Sequence, residues 1–343
     1  APARAGRGCR PAAGAGLALG GGGGGSSAGP MPQPAPAPVP EIDGQLVNGY
    51  IQGALVFQDL DGDGEFDNEE PSAVTDAYGN FTLVGATQSG GSLIARPDED
   101  TFDRSTGLQV TSVFKAPANA AVISPLSTLV EAGLTEAQVK AAFGIDESVT
   151  ILDFNPVQSL ADAGNTDAAN LALKIKAANV IVSNLLDTGA SLLEGAGATT
   201  SGALSDVIVR NLVSIIEDAP SSGLNFEDAD VWMGSVLTGA LNELAIVANL
   251  SEVASGAAAI LAESARDLID NSTVTNLADA TSKLTLMSKI EKVIQATVAT
   301  SIKDAAEDPS LIQDLLDIDL ATKVASAQVD VGVFETLNFE SAE

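Results

Sequence analysis

Asp59-Leu60-Asp61-Gly62-Asp63-Gly64-Glu65-Phe66-Asp67-Asn68-Glu69-Glu70 carries an acid at almost every second position of a twelve-residue span. Counted from Asp59, Asp falls at positions 1, 3, 5 and 9, Gly at 6 and Glu at 12, the spacing of an EF-hand calcium loop. In that reading the side chains of Asp59, Asp61 and Asp63, the backbone carbonyl of Glu65, Asp67 (directly or through water) and a bidentate Glu70 supply oxygen ligands. Gly64 allows the sharp turn that brings the chain back around the ion. Phe66, the one large apolar group, is placed to pin the loop to a core.

Charge makes the same point without the pattern. Seven of the twelve residues are carboxylates and none is basic. Like charges ~4 Å apart repel by roughly 1 kcal/mol per pair even in water. A compact loop must therefore raise several pKa values, stay open, or take up a divalent cation, and hard oxygen donors select Ca2+. The competing reading is a solvated acidic hairpin tip that binds nothing.

The flanks are not helices. Gly49-Tyr50-Ile51-Gln52-Gly53-Ala54-Leu55-Val56-Phe57 is β-branched and aromatic and reads as a strand. After Pro71 come Ala73-Val74-Thr75, a turn at Asp76-Ala77-Tyr78-Gly79-Asn80, and a strand Phe81-Thr82-Leu83-Val84. The loop thus joins two strands and is expected to fix the edge of a β-domain, with no paired helices to open as a sensor does. Further strand chemistry at Ser92–Ala95, Leu108–Phe114 and Ala121–Ile123 completes a small β-sandwich over residues 41–123. A second acidic group, Asp98, Glu99 and Asp100 with Asp103 nearby, lacks regular ligand spacing and reads as a solvated loop, with a second ion site as the alternative.

At residue 124 the architecture changes. Ser124 is an N-cap with Pro125 at the first helical position, and Gly133 is a stop. Thr135-Glu136-Ala137-Gln138 is a capping box for a helix that Gly144 closes. Leu171, Ile175, Ala178, Val182 and Leu185 form the apolar stripe of one long helix; Leu204, Ile208, Leu212 and Ile215 form another. Met287, Ile290, Ile294 and Val298 form a third, with Lys283, Lys289, Lys292 and Lys303 read as its solvated face. The expected fold is α+β: a β-sandwich with its calcium loop, a helical bundle over 124–326, and a short strand in a tail at 327–343. That strand, Gln328–Val333, either folds back on the chain or adds to a neighbouring molecule. Residues 1–40, with Gly20–Gly25 unbroken and a Pro-Ala alternation, read as a flexible tether. The start at Ala1 reads as processing or trimming, and the Leu17-Ala18-Leu19 run lacks the following cysteine of a lipoprotein cleavage site.

Composition narrows function by exclusion. The net charge is −30, with 46 acids against 16 Lys and Arg, so there is no basic footprint for nucleic acid or an anionic membrane surface. No apolar run is long enough to span a bilayer. The absence of histidine excludes Ser-His-Asp and Cys-His catalysis and zinc sites that need His. The single cysteine, Cys9, excludes a disulfide framework or an all-cysteine metal site within one chain.

Gly49 to Asp59 running into the acidic loop, then Glu70-Pro71-Ser72 and Thr75-Asp76-Ala77-Tyr78-Gly79-Asn80-Phe81, resembles calcium-binding β-sandwich modules of bacterial exoproteins, including the B-type repeats of Gram-positive adhesins. Ser105–Leu108, Lys115–Pro117, Val122–Val130 and Gly133–Val139 are similar to the segment that follows such modules. The resemblance covers about residues 45–145. It implies an exported, calcium-stabilised, non-catalytic surface or matrix protein. The favoured class is a structural or adhesive extracellular protein of a bacterial surface or matrix, and the N-terminal arm and alternating C-terminal strand are the pieces it would exchange to self-assemble. Two other classes stay open. One is a secreted ligand- or carbohydrate-binding module, for which Trp232 and the few aromatics give little support. The other is a hydrolase using paired carboxylates, for which no acid pair stands in a recognisable cleft.

Overall fold

Between Glu41 and Ile123, apolar residues alternate with polar ones or gather in short β-branched blocks, which is strand chemistry. In the computed structural model, which describes residues 39–199, 201–219, 221–246 and 250–330, this region forms three small sheets. The strands are β1 (Glu41–Leu46), β2 (Ile51–Gln52), β3 (Leu55–Asp59), β4 (Ser72–Val74), β5 (Asn80–Val84), β6 (Ser92–Arg96), β7 (Phe102–Asp103), β8 (Leu108–Gln109), β9 (Phe114–Ala116) and β10 (Val122–Ile123). One sheet has the order β10-β1-β5, a second β2-β7-β8, and the third β4-β3-β6-β9. β1 runs parallel to β10, with Gln45 opposite Val122, and antiparallel to β5.

The helices are α1 (Pro125–Glu131), α2 (Glu136–Phe143), α3 (Pro156–Ala161), α4 (Thr166–Gly195), α5 (Ser201–Glu217), α6 (Ala229–Glu243), α7 (Ser251–Asp270), α8 (Ala280–Val293), α9 (Ala299–Glu307), α10 (Ile312–Leu316) and α11 (Leu320–Ser326). The chain is thus α+β, sheets first and helices after, and no helix among the described residues is long and apolar enough to cross a membrane. The capping signals act where expected. Ser124 accepts the Ser127 N–H and Thr135 accepts the Gln138 N–H, each in a reciprocal capping box. Gly144 caps the C-terminus of α2.

α4 carries the expected stripe but is buried on more than one side, because α3, α5, α7, α8 and α9 all pack on it. α8 runs into a π-helical segment, Ile294–Val298, and on into α9, a distortion that apolar spacing does not announce. The change from strands to helices falls between Ile123 and Ser124, yet packing does not divide there. One continuous core takes Val56, Leu83 and Leu93 from the sheets together with Leu173, Leu237 and Leu261 from the helices.

Two expected strands are interrupted. Gly49–Phe57 breaks at Gly53, whose φ is +88° and whose missing Cβ would lie 2.8 Å from the Asp100 carbonyl oxygen. The break gives β2 to one sheet and β3 to another. Gly53→Ala is therefore expected to lower the unfolding free energy by about 1–3 kcal/mol in a urea titration, from the strained φ and the close backbone approach. Likewise Leu108–Phe114 is no single strand: β8 ends at Gln109, and β9 begins only at Phe114. Of the expected C-terminal strand, Gln328–Asp330 have no regular secondary structure, and residues 331–343 lie outside the described residues, as do 1–38 of the expected tether.

Candidate metal centre

β3 delivers Asp59 at its last residue, and β4 takes the chain back from Ser72, with Phe57 opposite Ser72 across the antiparallel pair. The acidic span is the connection between them, so the ends of the loop are held by a sheet. Gln58 donates its backbone N–H to the Pro71 carbonyl at 3.0 Å and closes the neck. Phe66 folds under the loop, its ring centroid 5.6 Å from that of Phe57. These rings belong to a small apolar cluster with Ile94 and Val113 on the outer side of the four-stranded sheet. Phe66 thus pins the loop as its position in the span suggests.

Within the loop, backbone amides turn inward onto carboxylates. Asp59 accepts the Gly62 N–H at 2.7 Å and the Gly64 N–H at 3.0 Å, one on each oxygen. Asp61 accepts the Asp63 N–H and Asp63 accepts the Glu65 N–H. Gly64 has φ +78° and no atom near its missing Cβ, so glycine is needed there for backbone conformation alone. The result is that carboxylate oxygens of Asp59, Asp61 and Asp63 lie within 4.8 Å of one another, with Asp59 buried and the other two exposed. Oxygens on one calcium ion, each 2.3–2.6 Å from it, stand at most about 5 Å apart, so this trio suits a common hard cation.

The remaining sequence-predicted ligands are arranged differently. Glu70 is buried, and its two oxygens accept the Leu60 N–H at 2.7 Å and the Asp67 N–H at 3.1 Å, which staples the loop's start to its end. A carboxylate oxygen has two lone pairs, so Glu70 keeps acceptor capacity beyond those amides. The Glu65 side chain turns away to Arg96 of β6, with Nη1 and Oε2 2.5 Å apart, and leaves its carbonyl as the group available to an ion. Arg96 also donates to the Gly64 carbonyl and lies over the Phe57 ring at 5.8 Å. Its guanidinium holds the exposed Glu65 carboxyl below the usual range. Asp67 is pushed the other way, first by loss of solvation and then by the charges of Asp61, Asp63, Glu70 and Glu69. That residual repulsion is what a bound cation would relieve.

Beside the loop lies a groove of about 680 Å³ with Arg96, Lys115 and Arg210 among its walls. Each of these cations is already paired, Arg96 with Glu65, Lys115 with Asp206 at 2.9 Å and Arg210 with Glu243 at 2.5 Å. The second acidic group does not assemble a site. Asp98 accepts the Asp100 N–H and the Thr101 hydroxyl in a local turn. Asp103 is buried elsewhere, against the Gly49 N–H at 2.8 Å. Among the described residues, Asp59, Asp61 and Asp63 are the only acids whose oxygens converge in this way.

Compared with known proteins, the chain matches no family model, no curated protein and no solved structure.

One buried charged group escaped sequence reading. Lys176 and Glu291, on α4 and α8, pair at 3.0 Å with only 1 % of either side chain exposed. Nothing near either residue in the chain marks it, because the partners are 115 residues apart.

Proposed function

We propose that the chain is a non-catalytic, calcium-stabilised structural or adhesive protein of a bacterial surface or matrix, in which residues 41–123 act as a calcium-binding β-sandwich module. The observation that carries this reading is the convergence of Asp59, Asp61 and Asp63 at the mouth of a strand–loop–strand connection whose neck is held by β3 and β4. An all-oxygen donor set with flexible carboxylates suits Ca2+ better than the small octahedral Mg2+. The ion would offset part of the charge of a loop that carries seven acids and lean on a sheet edge, which stabilises a fold and exposes no groove. A fold that gains stability from calcium suits the outside of cells, where the ion is at millimolar level, and the acidic surface is soluble there.

Titration calorimetry of the folded chain tests the reading directly. One calcium per chain is expected, with a dissociation constant of about 10⁻⁴ to 10⁻³ M and weaker binding of magnesium. Absence of any calcium heat at concentrations about tenfold higher would end it. Self-association is the second half of the proposal, and light scattering with and without calcium decides it: monomers in both conditions remove that half.

The sugar-binding alternative gains nothing from Trp232. Its ring packs edge-on against Phe226, its Nε1 donates to the Asn225 carbonyl at 3.2 Å, and only 8 % of the residue is exposed, on the wall of a cavity of about 580 Å³, so little ring is left to stack on a sugar. The carboxylate-hydrolase alternative would need paired acids within reach of substrate; Glu291, whose carboxyl burial raises, has no exposed surface, and Asp187 is taken up by the Ser112 and Thr111 hydroxyls.

A further inference from the structure

The tight turn from Val47 to Tyr50, closed by a single bridge between those two residues, carries Asn48 into the helices. There Lys176 donates to Glu291 Oε2 at 3.0 Å and to the Asn48 carbonyl. Asn48 Nδ2 donates to Glu291 Oε1 at 2.5 Å and to Ser183 Oγ at 2.9 Å. Gln295, on the π-helical segment, donates to the same Ser183 hydroxyl at 3.0 Å. Single-turn π segments are frequent at functional sites, and here one places a polar side chain on the seam. Lys176, Asn48, Ser183 and Glu291 are all at most 3 % exposed. Asn48 Oδ1 and Ser288 Oγ, equally buried, have no hydrogen-bond partner.

The charge count in this seam does not balance. The charged groups that act on Glu291 are Lys176 and Asp187 from α4 and Asp103 from β7. Three carboxylates face one ammonium, and unpaired charge out of water is costly. Asp103 is well served, accepting the N–H groups of Gly49, Ser105 and Thr106 and the Ser105 hydroxyl. Asp187 accepts the hydroxyls of Ser112 and Thr111 and keeps some exposure. Glu291 is the deepest and has only Lys176 and one amide, so it is the carboxyl on which a proton costs least.

We propose that Glu291 is a proton-binding site whose protonation removes the excess negative charge beneath the Val47–Tyr50 turn where it meets α4 and α8, so that the seam is tight in mildly acidic medium and loosens as the proton leaves. The direction of its titration agrees: burial raises the Glu291 carboxyl to about 7, with Lys176 opposing and Asp103 and Asp187 adding to the rise. An unfolded glutamate titrates near ~4.3. The native state thus holds the extra proton between those values. Its contribution is fully present below the unfolded value and is lost as pH rises through the folded one.

The test is the melting temperature of the full chain at about pH 5.5 and about pH 8, with calcium and separately with chelator, for wild type and Glu291→Gln. The wild type is expected to lose about 3 °C more than the variant over that interval, in both series. Parallel profiles would overturn the proposal, whatever calcium does. Should Glu291→Gln fail to fold, infrared spectroscopy of the wild type and of Asp187→Asn decides the matter. A protonated-carboxyl band slow to exchange in deuterated water is expected in both at about pH 6 and is lost by about pH 9. Its absence from the wild type, or its disappearance in Asp187→Asn, would overturn the assignment to Glu291.

Discussion

Adding calcium to the metal-free protein is expected to raise its melting temperature, and the Asp59→Ala, Glu70→Ala double variant is expected to lose that rise. An ion that binds only the folded form stabilises it by ~1.4 kcal/mol at ten times its dissociation constant and ~2.7 kcal/mol at a hundred times. For a chain of this size each kcal/mol is worth about 1.5 °C, so the shift amounts to about 2–4 °C. The two substitutions do different damage. Asp59→Ala removes a buried carboxylate that gathers the Gly62 and Gly64 amides and supplies one corner of the converging trio. Glu70→Ala frees the Leu60 and Asp67 amides that join the loop's two ends. In chelator the double variant should therefore also melt somewhat below wild type, but it should not respond to calcium. A wild type whose melting temperature ignores calcium would refute the central reading, and an unchanged response in the double variant would place the ion elsewhere.

Lys176→Met is expected to be the most damaging single change, lowering the unfolding free energy by about 3–5 kcal/mol, because removing one member of a buried pair strands the other. The loss should be read in urea titrations and should be larger at about pH 8, where Glu291 must either carry an uncompensated charge or take up a proton against the solution. The Asn48 carbonyl loses a donor at the same time. The double variant Lys176→Met, Glu291→Leu should recover much of the loss, since an apolar pair of similar volume is often no worse than a buried ion pair. If Lys176→Met costs less than about 1 kcal/mol, the pair is not buried as described.

Much of the candidate site was legible because its geometry is local. The acid spacing from Asp59 to Glu70, the glycine at the sharp turn and the single phenylalanine beneath are all close in sequence, and amides two to five residues away satisfy the carboxylates. Strands on both sides were readable from β-branched runs. Spacing did not reveal that Glu65 would turn its side chain to Arg96, 31 residues on, or that the Glu70 oxygens would serve the loop's own amides. Asp103, grouped in the sequence with Asp98 to Asp100, proved to anchor the turn at Gly49.

The same division runs through the fold. By themselves the residues determined the α+β order, the change of architecture at Ser124, the caps of the first two helices and the apolar stripe of α4, since each depends on hydrogen bonds or periodicity within a few residues. The tertiary structure alone decided that Gly53 splits a strand between two sheets, that strands and helices share one core, and that Lys176 meets Glu291. Those outcomes depend on which distant surfaces come together. Burial gives a side chain its partner and its protonation only after the chain has closed around it.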